Sequence, residues 1–328
     1  MQARKTPLLV LLGPTAVGKT ALSLQLAERL GTEIISGDSM LVYRGFDIGS
    51  AKPRAEECAR VPHHLVDVLD ADAPFSVTEF VARVSELARD FDVAGRLPFV
   101  VGGTGLYVKA LVEGYDFNVT QEHTCFRHAM VGVAARRGNA RVHRFLTHRD
   151  PAAAEQIHAN NLRRVIRALE VVRYGDESIS RARAMEHGTM PYDALVIGLM
   201  RERAHLYARI NERVEAMFAA GLCEEVQQLL DSGVRRDAPP MKGIGYKETA
   251  AYLAGEITRA EAIAAVQTAT RHFAKRQLTW YRRMPYIRWY DADAWTEPEL
   301  LERILMDIKE WRAKGEAKDD GQDHQSAG

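Results

Sequence analysis

The sequence predicts an α/β protein with a parallel sheet core, a mainly helical insertion and a helical C-terminal region. Short apolar runs suited to buried parallel strands recur along the chain, and two of them lead into glycine-rich turns. A long middle segment shows helical periodicity and no convincing buried strand. The apolar runs are Leu8–Leu12, Glu33–Ser36, Leu97–Val101 and Ala194–Leu199, with a short edge segment at His63–Val68.

The first apolar run leads into a segment that fits the phosphate-loop pattern G-x-x-x-x-G-K-[ST]. Its residues are Gly13, Pro14, Thr15, Ala16, Val17, Gly18, Lys19 and Thr20. The strand before it and the apolar-faced helix after it are the context that this motif needs, so a P-loop NTPase-like core is predicted. Backbone N–H groups and the helix N-terminus would bind a di- or triphosphate, Lys19 would add positive charge, and Thr20 would offer a hydroxyl to Mg²⁺. The motif predicts a phosphate chain and leaves open whether a nucleotide carries it.

The second apolar run, Glu33–Ser36, leads to Asp38 just beyond a predicted strand end. Ligands of an open parallel sheet lie at the carboxyl ends of its strands, so we expect Asp38 near the phosphate loop. Its carboxylate could hold Mg²⁺ or act as a base toward a second substrate. A helix-capping or turn aspartate is an equally good interpretation of the position alone.

A second glycine-rich turn, Gly102-Gly103-Thr104, follows the run Leu97–Val101. It is expected at the same sheet edge, where it would offer backbone N–H groups and the Thr104 hydroxyl. The alternative is a tight turn that needs glycine only for its torsions, which would leave Thr104 without a role.

Four segments follow from these patterns. They are a first part of the core at 1–115, a helical insertion at 116–190, a return to the core with C-terminal helices at 191–315, and a disordered tail at 316–328. Within the insertion, the apolar residues of 161–172 fall on one helix face and the arginines lie mainly off it. The insertion is therefore predicted to have a basic outer surface.

A segment rich in basic and aromatic residues extends from Arg271 to Tyr290, and most of it belongs to a helix predicted over Arg259–Arg283. It has six basic residues, six aromatic residues and no acidic residue. Such a mixture suits phosphate contacts and base stacking on RNA. A solvated basic helix face above a stripe of core aromatics explains it equally well.

Composition restricts the compartment more than the partner. The 328 residues include 44 basic and 44 acidic side chains, so net charge favours no class of partner. No apolar run approaches the roughly 20 residues of a membrane span, and no signal peptide is expected. The three cysteines are far apart, and His63-His64 lacks further ligands at suitable spacing. We expect a cytoplasmic protein without membrane association, disulfide or zinc.

Taken together, these segments resemble the bacterial tRNA dimethylallyltransferases, also called tRNA isopentenyltransferases. The resemblance covers roughly residues 7–290 in unbroken order, and the combination of motifs is specific although each motif alone is weak. The matching stretches are Gly13–Thr20, Asp38–Tyr43, Asp47–Pro53, Gly102–Tyr107, Asn161–Val171, Gly243–Lys247 and Thr270–Arg282.

The resemblance implies transfer of a dimethylallyl group from dimethylallyl pyrophosphate to N6 of the adenosine 3′-adjacent to the anticodon of tRNA. The phosphate loop, assisted by Mg²⁺ on Thr20, would hold the pyrophosphate. Asp38 would be the general base, with Thr104 and Arg127 as further catalytic positions, and a cleft would admit the anticodon stem-loop. The implied tRNA-binding positions are Asp38, Ser39, Met40, Leu41, Thr104, Arg127, Arg163, Arg164, Val165, Ile166, Arg167, Lys242, Gly243, Ile244, Gly245, Tyr246 and Lys247.

Two places depart from the pattern of these enzymes. Gln121–Phe126 replaces an acidic, proline-containing approach to Arg127, and Met40-Leu41 replaces a stretch that often carries a glutamine. The resemblance also implies the nucleotide-binding (ATP-binding) type of loop and a monomer.

Two other functions fit parts of the sequence. A P-loop kinase of a small metabolite would share the loop, the sheet and Mg²⁺, and it would be the first choice on the loop alone. The long basic helical half argues against it, and no convincing apolar strand ends in a second magnesium-binding aspartate. A non-catalytic RNA-binding module with a nucleotide-gated loop would bind tRNA without transferring a group.

Overall fold

The computed structural model describes residues 4–115, 123–175 and 190–323. The chain divides into two compact units. Unit 1 combines Met1–Val112 with Tyr192–Gly328, and unit 2 is Glu113–Pro191, where the sequence places a helical insertion at 116–190.

Unit 1 is built on a six-stranded sheet in which every neighbouring pair is parallel, which confirms the predicted fold class. The strand order is β3-β2-β4-β1-β5-β6. The strands are β1 Thr6–Leu12, β2 Ile34–Ser36, β3 His63–His64, β4 Phe99–Gly102, β5 Tyr192–Met200 and β6 Ile287–Asp291. Because β1 lies between β4 and β5, the segment that follows it emerges near the middle of the sheet.

The sheet separates two hydrophobic cores because alternate residues of a strand face opposite sides. In β1, Leu8, Val10 and Leu12 belong to one core, and Leu9 and Leu11 belong to the other. All five side chains are fully buried, as expected for a parallel strand with both faces covered.

Helices cover both faces of the sheet. Those of unit 1 are α1 Lys19–Leu30, α2 Ala55–Arg60, α3 Val77–Val93, α4 Gly105–Glu113, α9 Arg203–Ala219, α10 Leu222–Asp231, α11 Tyr246–Leu253, α12 Arg259–Tyr281 and α13 Glu297–Asp323. Those of unit 2 are α5 Thr124–Arg137, α6 Asn139–Arg149, α7 Pro151–Gln156 and α8 Leu162–Tyr174. No helix among the described residues is long and apolar enough to cross a membrane.

Two regions differ from the sequence prediction. Strand β6 was not predicted, because its residues include the exposed Arg288 and only Ile287 is buried. At the C-terminus, α13 continues to Asp323 where the sequence predicts a disordered tail from 316, and residues 324–328 lie outside the described part of the chain.

Unit 2 has its own core, formed between α5, α6, α7 and α8. Val142, Leu146, Val165 and Ala168 are at its centre and are fully buried. The Asp150 carboxylate caps α7 by accepting from the Ala153 N–H over 3.0 Å, and Pro151 occupies the first helical turn.

Candidate active site

Three strand ends meet at one edge of the sheet, where the backbone segments approach each other closely. A Cβ on Gly102 would overlap the Gly37 backbone, and one on Gly13 would lie 2.9 Å from the Leu199 carbonyl oxygen. Glycine is therefore required here by space, since any side chain would separate the turns. The phosphate loop, the Asp38 loop and the Thr104 turn consequently share one edge.

The carbonyl groups of the phosphate loop are held by side chains that surround it. Lys19 Nζ donates to the Gly13 and Pro14 oxygens, each over 2.9 Å. Arg209 Nε donates to the Ala16 oxygen over 3.0 Å, and Arg201 Nε donates to the Val17 oxygen over 2.9 Å. These bonds fix the carbonyl orientations. Ala16 has φ 62°, in the left-handed region that a non-glycine residue rarely adopts.

Positive charge is concentrated beside the loop. Burial, with a smaller contribution from the nearby Arg213 guanidinium, lowers the pKa of Lys19 to about 8, and Asp38 opposes the shift. The pKa of Arg213 is likewise lowered, mainly by burial, and Asp38 again acts in the opposite direction. Lys19, Arg213 and Asp38 therefore interact electrostatically within one small region. Burial is the largest cause of both shifts. The two cations lie close enough to act on Asp38, and Arg213 lies close enough to act on Lys19.

A cavity of about 490 Å³ opens at this place. Its wall includes Gly18, Lys19 and Thr20 from the loop and Arg209 and Arg213 from α9. The carboxylates of Glu57 and Glu212 also line it. Thr20 is an exposed residue of this wall, so its hydroxyl could reach a cation bound together with a phosphate group.

Asp38 lies in a turn with one carboxylate oxygen engaged. Its Oδ1 accepts from the Met40 N–H over 2.8 Å, and its own N–H donates to Ser36 Oγ over 3.3 Å. Its Oδ2 has no hydrogen-bond partner within the described ranges. The turn interpretation of Asp38 thus accounts for one oxygen and leaves the other available for chemistry.

Thr104 is next to this turn. Its Oγ1 accepts from the Ser39 N–H over 3.2 Å, and its N–H approaches the Gly37 oxygen at 3.4 Å. Both the hydroxyl and the backbone of Thr104 therefore support the Asp38 loop.

A loop after Tyr43 supports the Asp38 segment from behind. Lys52, whose side chain is 5% exposed, donates to the Tyr43 oxygen over 2.8 Å and to the Asp47 and Asp67 carboxylates, each over 2.5 Å. The Asp67 N–H in turn donates to the Leu41 oxygen over 3.1 Å.

The predicted segment 242–247 lies against the Asp38 loop, because the Cβ of a residue replacing Gly243 would be 2.9 Å from Met40 Cε. Lys242 and Lys247 are exposed and Gly245 has φ 96°. Tyr246 is different: its ring is fully buried, and its hydroxyl donates to Glu225 Oε1 over 2.8 Å and accepts from the Ser50 N–H over 3.1 Å. At this position only the backbone or the exposed Lys242 and Lys247 side chains could contact RNA, because the Tyr246 ring is buried.

The remaining residues predicted to bind tRNA lie in unit 2. Arg163 and Arg164 are exposed on α8 and have no ion-pair partner among the residues described. Val165 and Ile166 are buried in the unit 2 core, so their side chains are not available to RNA. The amphipathic pattern of α8 explains this, since consecutive residues necessarily fall on different faces of a helix.

Arg127 and Arg167, both partly exposed, form an ion-pair network with the buried Glu170 inside unit 2. Arg127 Nε and Nη2 donate to the two carboxylate oxygens of Glu170 over 2.9 and 2.7 Å, and Arg167 Nη1 donates to the same carboxylate over 2.7 Å. Burial alone would raise the pKa of Glu170. Hydrogen bonds from Arg127, Arg167 and the His123 N–H outweigh burial and hold it at about 2.

The basic and aromatic side chains of Arg271–Tyr290 separate on the structure. Tyr281 is fully buried, and Trp280 and Trp289 pack against the same core. Lys275, Arg276, Arg282 and Arg283 are exposed and line two adjoining cavities of about 450 and 520 Å³. The aromatic residues are thus largely a core stripe, and the cations form an exposed surface.

Several residues of this site were missed from the sequence. They are Arg201, Arg209 and Arg213 around the phosphate loop, Glu170 in unit 2, and Gln277 and Tyr281 on α12. The Gln277 side chain accepts from the Thr15 N–H over 2.9 Å and donates to the Gly103 oxygen over 2.8 Å. Arg201, Arg209 and Arg213 lie outside the matching stretches, whereas Glu170, Gln277 and Tyr281 lie inside Asn161–Val171 and Thr270–Arg282 but were given no role. Nothing in a local pattern distinguishes any of them from other polar residues of a helix.

Both histidines of the His63-His64 pair have hydrogen-bond partners within the protein. His63 Nδ1 lies 2.8 Å from the Val61 oxygen, and His64 Nε2 lies 2.6 Å from Glu33 Oε2. No group of three or more potential metal ligands is present among the described residues.

Comparison with protein families gives two matches. Residues 41–284 match the model described as IPP transferase, and residues 6–66 match the one described as isopentenyl transferase. The tRNA dimethylallyltransferase of Symbiobacterium thermophilum is 48% identical over 93% of this chain and 94% of its own. That of Bacillus subtilis is 42% identical over 93% of this chain and 97% of its own.

Solved structures agree with these matches. The full-length tRNA isopentenylpyrophosphate transferase of Bacillus halodurans is 41% identical with a TM-score of 0.73, covering 96% of this chain and 100% of that one. A eukaryotic dimethylallyltransferase acting on tRNA is 27% identical with a TM-score of 0.76, covering 88% of this chain and 74% of that one. The kinase and the non-catalytic module are not supported by any of these relatives.

Proposed function

The chain belongs to the IPP transferase family and is a prenyltransferase that modifies tRNA; we propose that its donor is dimethylallyl pyrophosphate and its acceptor N6 of the adenosine 3′-adjacent to the anticodon. The observation that carries this proposal is the meeting of the phosphate loop with Asp38 and Thr104 at one sheet edge. This edge would provide both a binding site for the donor pyrophosphate and a base for the acceptor amine.

The cavity beside the phosphate loop suits the donor head group. Lys19, Arg209 and Arg213 line it and supply positive charge, and the loop leads directly into the N-terminus of α1. The C1–O bond of the allylic donor breaks as negative charge builds on the departing pyrophosphate. Cations that are already in place stabilise that charge without reorganising.

Magnesium would be held at the Thr20 hydroxyl together with oxygens of the donor. The fit rests on the exposure of this residue in a cavity that also contains two carboxylates, Glu57 and Glu212. Mg²⁺ commonly takes one or two protein ligands and completes its coordination with phosphate oxygens and water. It would neutralise charge on the pyrophosphate.

The acceptor requires a base because its exocyclic amine is a poor nucleophile. As the N6–C1 bond forms, the proton leaving N6 passes to the Asp38 carboxylate, and pyrophosphate carries away the electron pair of the broken C–O bond. The engaged Oδ1 fixes the rotation of the carboxylate, and Oδ2 receives the proton. The adenosine must leave the anticodon-loop stack to reach this position.

The tRNA surface of unit 1 combines the Asp38 loop with the exposed residues Lys242 and Lys247 and the cations of α12. In unit 2, Arg163 and Arg164 supply a separate exposed pair for phosphate contacts. The Arg127 guanidinium is partly exposed and fixed by Glu170, so any contact that it makes with tRNA would be made from a fixed position.

The proposed reaction is tested by transfer of radiolabel from dimethylallyl pyrophosphate to an unmodified anticodon stem-loop RNA with Mg²⁺. An otherwise identical RNA with inosine at the acceptor position lacks the N6 amine and is the matched control. We expect label in the adenosine RNA and none in the inosine RNA. Equal labelling of both RNAs, or ATP consumption without labelling, would overturn the proposed donor and acceptor.

A further inference from the structure

Two side chains of α12 connect the donor side of the site with the acceptor side. Gln277, 6% exposed, bonds both Thr15 of the phosphate loop and Gly103 of the second glycine turn. Tyr281, fully buried one turn later, places its hydroxyl 3.2 Å from the Gly13 oxygen and 2.8 Å from the Gly103 oxygen. Each side chain therefore reaches both turns.

The two turns differ in what they carry. The phosphate loop includes Lys19 and Thr20, and the Gly103 turn continues into Thr104, whose hydroxyl accepts from the Ser39 N–H beside Asp38. A displacement between the turns would therefore change the separation between donor and base. We propose that Gln277 and Tyr281 are positioning residues that set this separation for the transfer step. The proposal rests on the proposed function above.

The geometry leaves little freedom for either side chain. A Cβ added to Gly103 would lie 2.7 Å from Gln277 Nε2, so the glutamine amide packs directly on the glycine backbone. Both ends of this amide are used, its oxygen by Thr15 and its nitrogen by Gly103. Burial raises the pKa of Tyr281, so its hydroxyl stays protonated, and its single proton is shared between the Gly103 oxygen at 2.8 Å and the Gly13 oxygen at 3.2 Å.

The contact has a further consequence for the phosphate loop. The Thr15 N–H donates to Gln277 Oε1, so this amide is engaged within the protein and serves to align the loop. Losing Gln277 should accordingly affect the alignment of the reactants more than the affinity for either one. Misplacement by about 1 Å can cost on the order of 10²-fold in rate.

The experiment measures single-turnover transfer, pyrophosphate affinity and stem-loop affinity for the wild type, Gln277→Met and Tyr281→Phe. Wild-type transfer is read first, because its absence would refute the proposed function, whereas the variants address only alignment. Gln267→Met is the matched control on the same helix. Its side chain bonds the Asn211 oxygen and Glu215 on α9 and touches neither turn.

We expect Gln277→Met to lower the transfer rate by about 10²-fold while both affinities stay within about threefold, with Tyr281→Phe affected in the same direction. Gln267→Met should behave as the wild type. Wild-type rates in both α12 variants, or a rate loss that follows entirely from weaker pyrophosphate binding, would overturn the proposal. Tyr281→Phe decides the matter if Gln277→Met does not fold, because it removes a single oxygen.

Gln277→Glu provides a readout that a general loss of packing would not produce. A protonated carboxyl can donate to the Gly103 oxygen and accept from the Thr15 N–H, as the amide does, but a carboxylate can only accept. The transfer rate of Gln277→Glu relative to wild type should therefore rise as pH falls. A ratio that is independent of pH would contradict the assigned hydrogen bonds.

Discussion

The Ser39 N–H donates to Thr104 Oγ1 over 3.2 Å, and this bond joins the Asp38 loop to the Gly102–Thr104 turn, where we propose that the tRNA adenosine binds. Asp38 immediately precedes Ser39, and Gly103 immediately precedes Thr104. Thr104 therefore supports the Asp38 loop and also lies at the edge of the proposed site. A change at either loop is expected to affect the other.

Arg213 should contribute to donor binding. Arg213→Met removes a cation beside Lys19 and Asp38, and a charge-assisted hydrogen bond is worth about 1.5–3 kcal/mol, so the donor KM should rise about ten- to hundredfold. Steady-state kinetics with varied donor measures this. Arg203→Met is the control, since Arg203 stacks on Tyr207 near the start of the same helix. An unchanged donor KM in Arg213→Met would remove this residue from the pyrophosphate site.

Lys19 should make donor binding dependent on pH. Its pKa in the free protein is lowered to about 8, so the ammonium is lost as pH rises through that value and donor affinity falls. Bound pyrophosphate raises the pKa, so binding near pH 8 takes up protons. Calorimetry in buffers of different ionisation enthalpy measures this uptake, and Lys19→Met corrects for titration of the donor itself. Equal uptake by both proteins would refute the assignment.

The same shift has a consequence for stability. Because the pKa of Lys19 is lowered, the unfolded state binds more protons than the folded state between about pH 8 and 10.5. The contribution of Lys19 to the free energy of unfolding therefore increases with pH across this window. Lys19→Met should lack that term in denaturant unfolding of the ligand-free protein.

Glu170 should stabilise unit 2 through Arg127 and Arg167. Removing one partner of a buried ion pair commonly costs about 3–5 kcal/mol. Glu170→Gln should therefore speed amide hydrogen exchange in α5 and α8, while Glu155→Gln, an exposed change in the same unit, should not. Because the pKa of Glu170 is lowered to about 2, its contribution is present above the ordinary pKa near 4.5 and is lost as pH falls toward 2. Unchanged exchange in α5 and α8 would contradict this role.

Arg163 and Arg164 should contribute to tRNA affinity through phosphate contacts. Each contact removed should reduce the slope of log affinity against log salt by about 0.7–0.9. Filter binding of Arg163→Gln and Arg164→Gln across a salt series measures the slope. Arg236→Gln makes the same charge change at a residue paired with Glu256 in unit 1. Equal slopes in all four proteins, wild type included, would show that this face of α8 does not meet RNA.

The sheet and the turns of the site could be predicted because they depend on local signals. The apolar run of β1 and the spacing of Gly13, Gly18 and Lys19 identify the phosphate loop without any tertiary information. Strand β6 gave no such signal, since a polar edge strand is stabilised by pairing with β5. The helical periodicity of α8 does indicate that Val165 and Ile166 face inward. Because their side chains are buried, they cannot make the tRNA contacts that the family resemblance implies for them.

The contacts around the loop could not be predicted because they join residues distant in sequence. Gln277 lies 262 positions from Thr15, and only the packing of α12 against the sheet edge brings them together. Tyr246 looks like an accessible residue of a glycine-rich loop, yet its ring fills the core and Glu225 binds its hydroxyl. Burial of this kind depends on the whole fold.

The most direct test of the account is single-turnover transfer by Asp38→Asn. Asparagine retains an oxygen that accepts from the Met40 N–H, so the turn is preserved while the base is removed. We expect transfer to the stem-loop to fall by about 10²–10⁴-fold, with RNA and pyrophosphate affinities within about threefold of wild type. Transfer at the wild-type rate would contradict the assignment of Asp38 as the base.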